Sequence, residues 1–289
     1  QPQAGFIVRD GKWVLIEKAE EEPEPIPTSY LTFSSAEPFT IGVNNATKNW
    51  DGTLYYSTDT ATWSEWDGTA AVASAEHDGE QRIYMRGVGN SVITGESNAY
   101  SKSWILSVDR DSVEISCTGN IENLLDYEIV AEGEHPQMGA GCFASLFIGA
   151  THLISAPDLP AVDLTPSCYL RMFYTCRRLK SAPKLPATTL TSNCYNQMFA
   201  YCDNLATLPI LPAITLEYDC YSGMFNDCTS IKLSTTQTDE YSEAYRIPTS
   251  GEGTTTSIGA LNNMFTNTGG TFTGTPTINT TYYTSNTIV

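Results

Sequence analysis

The chain has 289 residues, 41% of them apolar and only 17% charged, with a formal net charge of −18. Its length suits two domains on a prior of roughly 150 residues each. The acidic balance without a basic stripe argues against a nucleic-acid partner, and no run nears the roughly 18 apolar residues of a membrane helix, which argues against membrane insertion.

The charge is uneven. Residues 1–135 hold 23 acidic and 8 basic side chains, residues 142–233 hold 6 of each, and residues 234–289 hold 4 and 1.

Phe6-Ile-Val8 and Trp13-Val-Leu-Ile16 flank Asp10-Gly11, a strong tight-turn pair, so a β-hairpin is expected over residues 1–18. Five glutamates and three prolines then fill residues 17–27, the composition of an extended, self-repelling spacer. A hairpin on such a spacer reads as a tether, with virion proteins the expected partner of residues 1–27. The start carries no charged-then-apolar leader, which favours a protein assembled inside a cell, such as a virion component.

Residues 28–110 read as a β-sandwich of immunoglobulin-like architecture. Seven short aromatic and β-branched runs alternate with turn signals: Tyr30–Phe33, Phe39–Val43, Leu54–Ser57, Ala61–Trp66, Arg82–Arg86, Ser91–Thr94 and Ser103–Val108. Residues 111–141, with a short helical pattern at Ile121-Glu-Asn-Leu-Leu-Asp-Tyr127, are expected to form the N-terminal cap of a solenoid that starts at residue 142.

From residue 142 the chain repeats every 26 residues: Cys142-Phe-Ala-Ser-Leu-Phe147, Cys168-Tyr-Leu-Arg-Met-Phe173, Cys194-Tyr-Asn-Gln-Met-Phe199 and Cys220-Tyr-Ser-Gly-Met-Phe225. Three units carry a second cysteine, Cys176, Cys202 and Cys228, and three carry a proline-bounded run, Pro157-Asp-Leu-Pro160, Pro183-Lys-Leu-Pro186 and Pro209-Ile-Leu-Pro212. So short a unit cannot bury its own apolar face, so copies must stack as a solenoid, expected over 142–289 with an insertion at 234–259, a degenerate fifth unit at 260–265 and a C-terminal cap. Apolar groups at i, i+4 and i+5 predict one or two helical turns per unit, followed by an extended proline segment. The expected fold class is therefore mostly β with short helices.

Met-Phe-x-x-Cys-x-x-Leu followed by an apolar proline edge resembles the BspA-like (Treponema pallidum-type) leucine-rich repeats of bacterial and phage surface proteins, over roughly residues 140–268. Each unit here is longer than is usual in that family. The resemblance implies a solenoid associated with adhesion and surface binding, and brings no catalytic residues with it.

The cysteine pairs are too far apart for a structural zinc site. Cys168, Cys194 and Cys220, Cys176, Cys202 and Cys228, and Phe173, Phe199 and Phe225 are expected as core ladders, with an intra-coil disulfide such as Cys168 to Cys176 left open. Three candidate binding surfaces stand out. Trp50, Trp63 and Trp66, with Tyr55 and Tyr56, make an aromatic platform for sugar rings or else fill the sandwich core. Trp63 and Trp66 are three apart, so a regular strand puts them on opposite faces. Arg177 and Arg178, near Arg171, Lys180 and Lys184, either engage an anionic polysaccharide or the acidic half of a neighbouring subunit, or form an ordinary solvated face. Tyr169, Tyr195 and Tyr221 form a ladder that is core edge or exposed stripe.

His77, His135 and His152 sit in no metal or triad motif and read as surface residues, and no phosphate loop is present, so neither catalysis nor a cofactor is expected. The expected function is a non-enzymatic, surface-displayed binding protein, a phage virion or fibre-like component or a bacterial adhesin, whose partner is a host-surface glycan or protein. The alternative is a structural, particle-decorating protein without a receptor, with homo-oligomerisation through its repeats or its β module.

Overall fold

The computed structural model describes residues 5–9, 12–16, 30–95 and 99–289. Strand makes up 27% of the chain and helix 5%, so the fold is mostly β. Strands β1 (Gly5–Arg9) and β2 (Lys12–Ile16) pair antiparallel, with Arg9 opposite Lys12. The glutamate and proline spacer expected over 17–27 lies outside the described residues.

The β module comprises β3 (Leu31–Ser35), β4 (Phe39–Val43), β5 (Thr53–Ser57), β6 (Ser64–Trp66), β7 (Val72–Ala73), β8 (Ala75–His77), β9 (Glu80–Val88) and β10 (Trp104–Val108). Every second residue of β3 and β4 is buried, the period of a strand with one face in a core. One sheet runs β10-β4-β7. The other begins at β6 and continues through β5, β9 and β3 to β11 (Ile115–Thr118) and β12 (Leu153–Ser155), with β8 paired to β9. Side chains of the two sheets meet, as where Trp104 of β10 lies 6.3 Å from Phe33 and 5.3 Å from Trp66. Residues 91–94, expected as a strand, form irregular turns instead.

The helical expectation for residues 121–127 resolves into a 3-10 turn at Ile121–Leu124 and a short helix α1 at Tyr127–Ala131, capped by the side chain of Asp126.

Within the repeats the helical expectation is wrong. Residues 167–176 are a chain of tight turns in which alternate N–H groups take different partners. Those of Leu170, Met172 and Tyr174 donate three residues back, to Ser167, Tyr169 and Arg171. Those of Tyr169, Arg171 and Phe173 donate across to Cys194, Asn196 and Met198 of the next unit. An α-helix keeps all its donors within one segment; here half of them bind the neighbour, so stacking itself satisfies the backbone.

Every fourth residue is left-handed to allow this: Ser167 (φ 58), Arg171 (φ 53) and Thr175 (φ 61), then Asn193, Gln197 and Tyr201, then Asp219, Gly223 and Asp227. Glycine, asparagine and aspartate tolerate that region best, and they hold four of these nine positions.

The stacked units align their side chains. Phe147, Phe173, Phe199, Phe225 and Phe265 stack at 5.4–5.7 Å between ring centroids. Both ends of this column close edge-on, against Phe33 and Trp104 of the β module and against Tyr245 of the 234–259 insertion. The backbone closes likewise. Carbonyls of the first unit accept from Ile93, Thr94 and Trp104, and Phe265 of the fifth exchanges bonds with Gly274. The groups that close the column at the first unit thus come from the β module and not from residues 111–141. The insertion is ordered, with Glu243–Arg246 paired to Thr281–Thr284, which also pairs with Leu233–Ser234.

All eight cysteines are free and buried, so no Cys168–Cys176 disulfide forms. Cys176, Cys202 and Cys228 each direct their thiol at the carbonyl of Phe147, Phe173 or Phe199, at 2.9–3.1 Å. Thr268 stands at the matching position of the fifth unit, buried, with its hydroxyl on Phe265 O. Burial pushes the thiols up, that of Cys194 to about 12. A thiol reagent should therefore label none of the eight in the native protein and all eight after denaturation without reductant; native labelling read by mass contradicts the ladder.

Candidate functional site

The expected aromatic platform divides. Trp50 and Trp66 are each only 4% exposed, with ring centroids 5.1 Å apart, and belong to the core. Their Asp-Gly turns are structural. Asp51 accepts from Ser91 and Val92 and Asp67 from Thr69, bonds that hold both carboxyls below the usual range against the opposing effect of desolvation.

Tyr169, Tyr195 and Tyr221 are internal as well, 1% exposed and stacked 5.7–5.9 Å apart. The exposed-stripe reading of the tyrosine ladder is thereby excluded. The basic cluster is largely engaged within the chain: Arg177 with Asp203 at 3.4 Å, Arg178 with Val113 O at 3.3 Å, and Lys180 with Glu114 at 3.3 Å.

Trp63 alone of the three tryptophans lies outside the core, and a cluster assembles around it. β5 and β9 pair with Tyr55 opposite Arg86, and β5 and β6 pair with Tyr55 opposite Glu65, placing these side chains in one row. β3 and β9 pair with Leu31 opposite Met85, which brings Tyr30 to the same row. The turn before β6 then folds Trp63 over Arg86, its indole N–H donating to Thr60 O at 3.0 Å. From the other side α1 brings Tyr127.

The Arg86 guanidinium lies 4.1 Å from the Trp63 ring centroid, 4.3 Å from that of Tyr127 and 5.8 Å from that of Tyr55. Tyr30 packs edge-on to Trp63 at 4.7 Å. Burial pushes the Tyr127 hydroxyl up, partly offset by the charge of Arg86. Three partly exposed rings around a fixed cation can stack on a sugar and bind an anion.

Two other places have the geometry of a site. Pro157-Asp-Leu-Pro160, Pro183-Lys-Leu-Pro186 and Pro209-Ile-Leu-Pro212 line up as rungs. Between them run two adjoining hollows of about 450 and 430 Å³ that share Lys184 and Pro186, with Leu159 and Leu185 buried beneath. At the junction of the two halves, the carboxylate of Glu122, 1% exposed, meets His135 Nδ1 at 2.8 Å beside a cavity of about 310 Å³. Burial pushes Glu122 up, and the bonds from His135 and Asn120 pull against it. His135, expected as a surface residue, is exposed, and its bond to Glu122 also clips the loop leading into the first unit.

Arg86, Tyr30 and Tyr127 have no signal in the sequence that joins them to Trp63. They lie far apart in the chain, and only the strand register brings them together. Among the described residues no group of three or more metal-ligating side chains gathers, and no helix is long and apolar enough to cross a membrane. Comparison with protein-family models, curated proteins and solved structures finds no match for this chain.

Proposed function

We propose that this chain is a non-enzymatic, surface-displayed binding protein: an immunoglobulin-like β-sandwich joined to a leucine-rich-repeat solenoid, presented on a phage virion or fibre or as a bacterial adhesin. Its ligand is a host-surface glycan or protein. The observation that carries this reading is the Trp63–Arg86–Tyr127 cluster, an aromatic and cationic group on the outer face of a rigid sheet. The repeat's resemblance to BspA-like units supports display at a surface. The closed ends of the phenylalanine column weigh against the structural alternative in its repeat-stacking form, because no open rung remains at either end for a second copy to extend.

The test uses the whole chain, since Phe147 packs on Phe33 and Trp104 and the repeats do not end cleanly at the β module. Host cells and a broad glycan array are probed with the wild type and with Trp63→Ala. Binding that falls about tenfold or more in the variant, at an unchanged melting temperature, supports recognition through this face. No binding across cells and array, together with stable association with a particle, favours the structural role.

A further inference from the structure

Among the described residues, arginine side chains are almost all paired within the chain. Arg82 pairs with Asp78 and Glu80, Arg110 with Glu37 and Arg177 with Asp203. Arg171 bonds Gln197, Arg178 bonds Val113 O, and Arg246 bonds Pro248 O and Asn279. Arg86 is the exception among the described side chains. It is half-buried, its Nε, like that of Arg82, is sealed from solvent with no acceptor, and no carboxylate among the described residues lies within ion-pair distance of it.

Leaving a partly desolvated guanidinium without an acceptor is unfavourable in any protein. It is more conspicuous in a chain of net charge −18, where acids are plentiful. Two acids border the cluster. Glu65 is the cross-strand partner of Tyr55, and Glu128 accepts from the Tyr127 hydroxyl at 3.3 Å; neither reaches Arg86.

The rings explain how the cation is held. Trp63 and Tyr127 lie against it at 4.1 and 4.3 Å, so cation–π contact replaces the missing acceptors and fixes the side chain. A guanidinium held by its neighbours this way keeps its terminal nitrogens free, in the planar fork that matches a carboxylate with two parallel hydrogen bonds.

We propose that Arg86 is the receptor for the carboxylate of an acidic sugar residue, with the Trp63, Tyr55 and Tyr127 rings packing on the sugar's C–H faces. This deepens the proposed glycan recognition and rests on it. A sugar fits better than an acidic peptide because the anion sits among aromatic rings on an open sheet face that also carries Glu65 and Glu128. Those two acids repel a peptide bearing several carboxylates, while a ring with one carboxylate and neutral hydroxyls meets them as hydrogen-bond acceptors.

The test is calorimetric titration of the whole chain with a galactose oligomer carrying a single terminal galacturonate and with the matching neutral galactose oligomer, alongside inorganic phosphate and a polyglutamate peptide. The acidic oligomer should bind about tenfold or more tightly than the neutral one, the equivalent of roughly 1.4 kcal/mol. Arg86→Gln should erase that ratio, and Arg86→Lys should restore only part of it, since lysine supplies charge without the fork. Equal affinity for the two oligomers, or a ratio that survives Arg86→Gln, overturns the assignment. So does polyglutamate or phosphate binding at Arg86 as tightly as the acidic oligomer, which would make the site a peptide or general anion site. The wild-type ratio needs no variant, so a folding defect in Arg86→Gln does not weaken the test. If host cells are bound but the acidic oligomer is not preferred, this assignment falls and the broader function stands; if neither cells nor glycans are bound, the broader function falls.

Discussion

Phe147→Ala should destabilise the chain by about 3–5 kcal/mol, the range for removing a fully buried phenylalanine, and should do so across both halves at once. Phe147 is 0% exposed and touches Phe33 and Trp104 on one side and Phe173 on the other, so it belongs to the core of the β module and to the repeat column alike. Tryptophan fluorescence reports mainly on the β module, because every tryptophan with a described side chain lies there, while far-ultraviolet dichroism reports on the whole chain. Both signals should move together to lower denaturant. Separate transitions, of which only one shifts, would show that the shared core does not couple the two halves.

Gly87→Ala should be nearly as damaging for a steric reason. A Cβ on Gly87 would stand 1.8 Å from the backbone oxygen of Leu124 and 2.7 Å from Asn90 Nδ2. Asn90 is buried and ties three strands of chain together, donating to Thr53 O and Leu124 O and accepting from Gly52 N. The clash is with backbone, so the turn at Ile121–Leu124 must move away from β9, and the loss should reach about 3 kcal/mol, the upper end for overpacking. Gly89→Ala is the control. Its φ of +63 imposes left-handed strain on any side chain, but nothing lies within 4 Å of the added Cβ, so about 1 kcal/mol is expected. Equal losses at the two positions, measured by urea unfolding, would sink the steric account.

Much of the fold is legible at particular residues. The cysteine at 168, 194 and 220 and the phenylalanine five positions on recur because each unit must present the same group to its neighbour, and they do form columns. The tight turns of the repeats mimic a helix in sequence because Cys-Tyr-x-x-Met-Phe satisfies a helical spacing. The discriminating signal is present but scattered: Gly141 and Gly149, Asn193, and Asp219, Gly223 and Asp227 occupy some of the left-handed positions that recur every four residues within a unit. Arg171, Gln197 and Tyr201 take the same conformation and carry no such mark.

At the candidate site the division is sharper. Composition and spacing single out Trp50, Trp63 and Trp66 together, yet two of them are core and one is not: Trp66, in β6, packs between Trp104 and Trp50, while Trp63 stands in the turn before the strand.

Local chemistry and periodicity settle what each residue must be within its own unit: the 26-residue rung, the proline break, the turn at Asp-Gly and the acidic β half. They do so because these depend on neighbours in the chain. What lies between units belongs to the tertiary structure alone: the sharing of one core through Phe147, the closure of both ends, and the seating of Arg86 between Trp63 and Tyr127. Those depend on strand register and on contacts between residues tens of positions apart, where each side chain's surroundings are set by parts of the chain that carry no local trace of it.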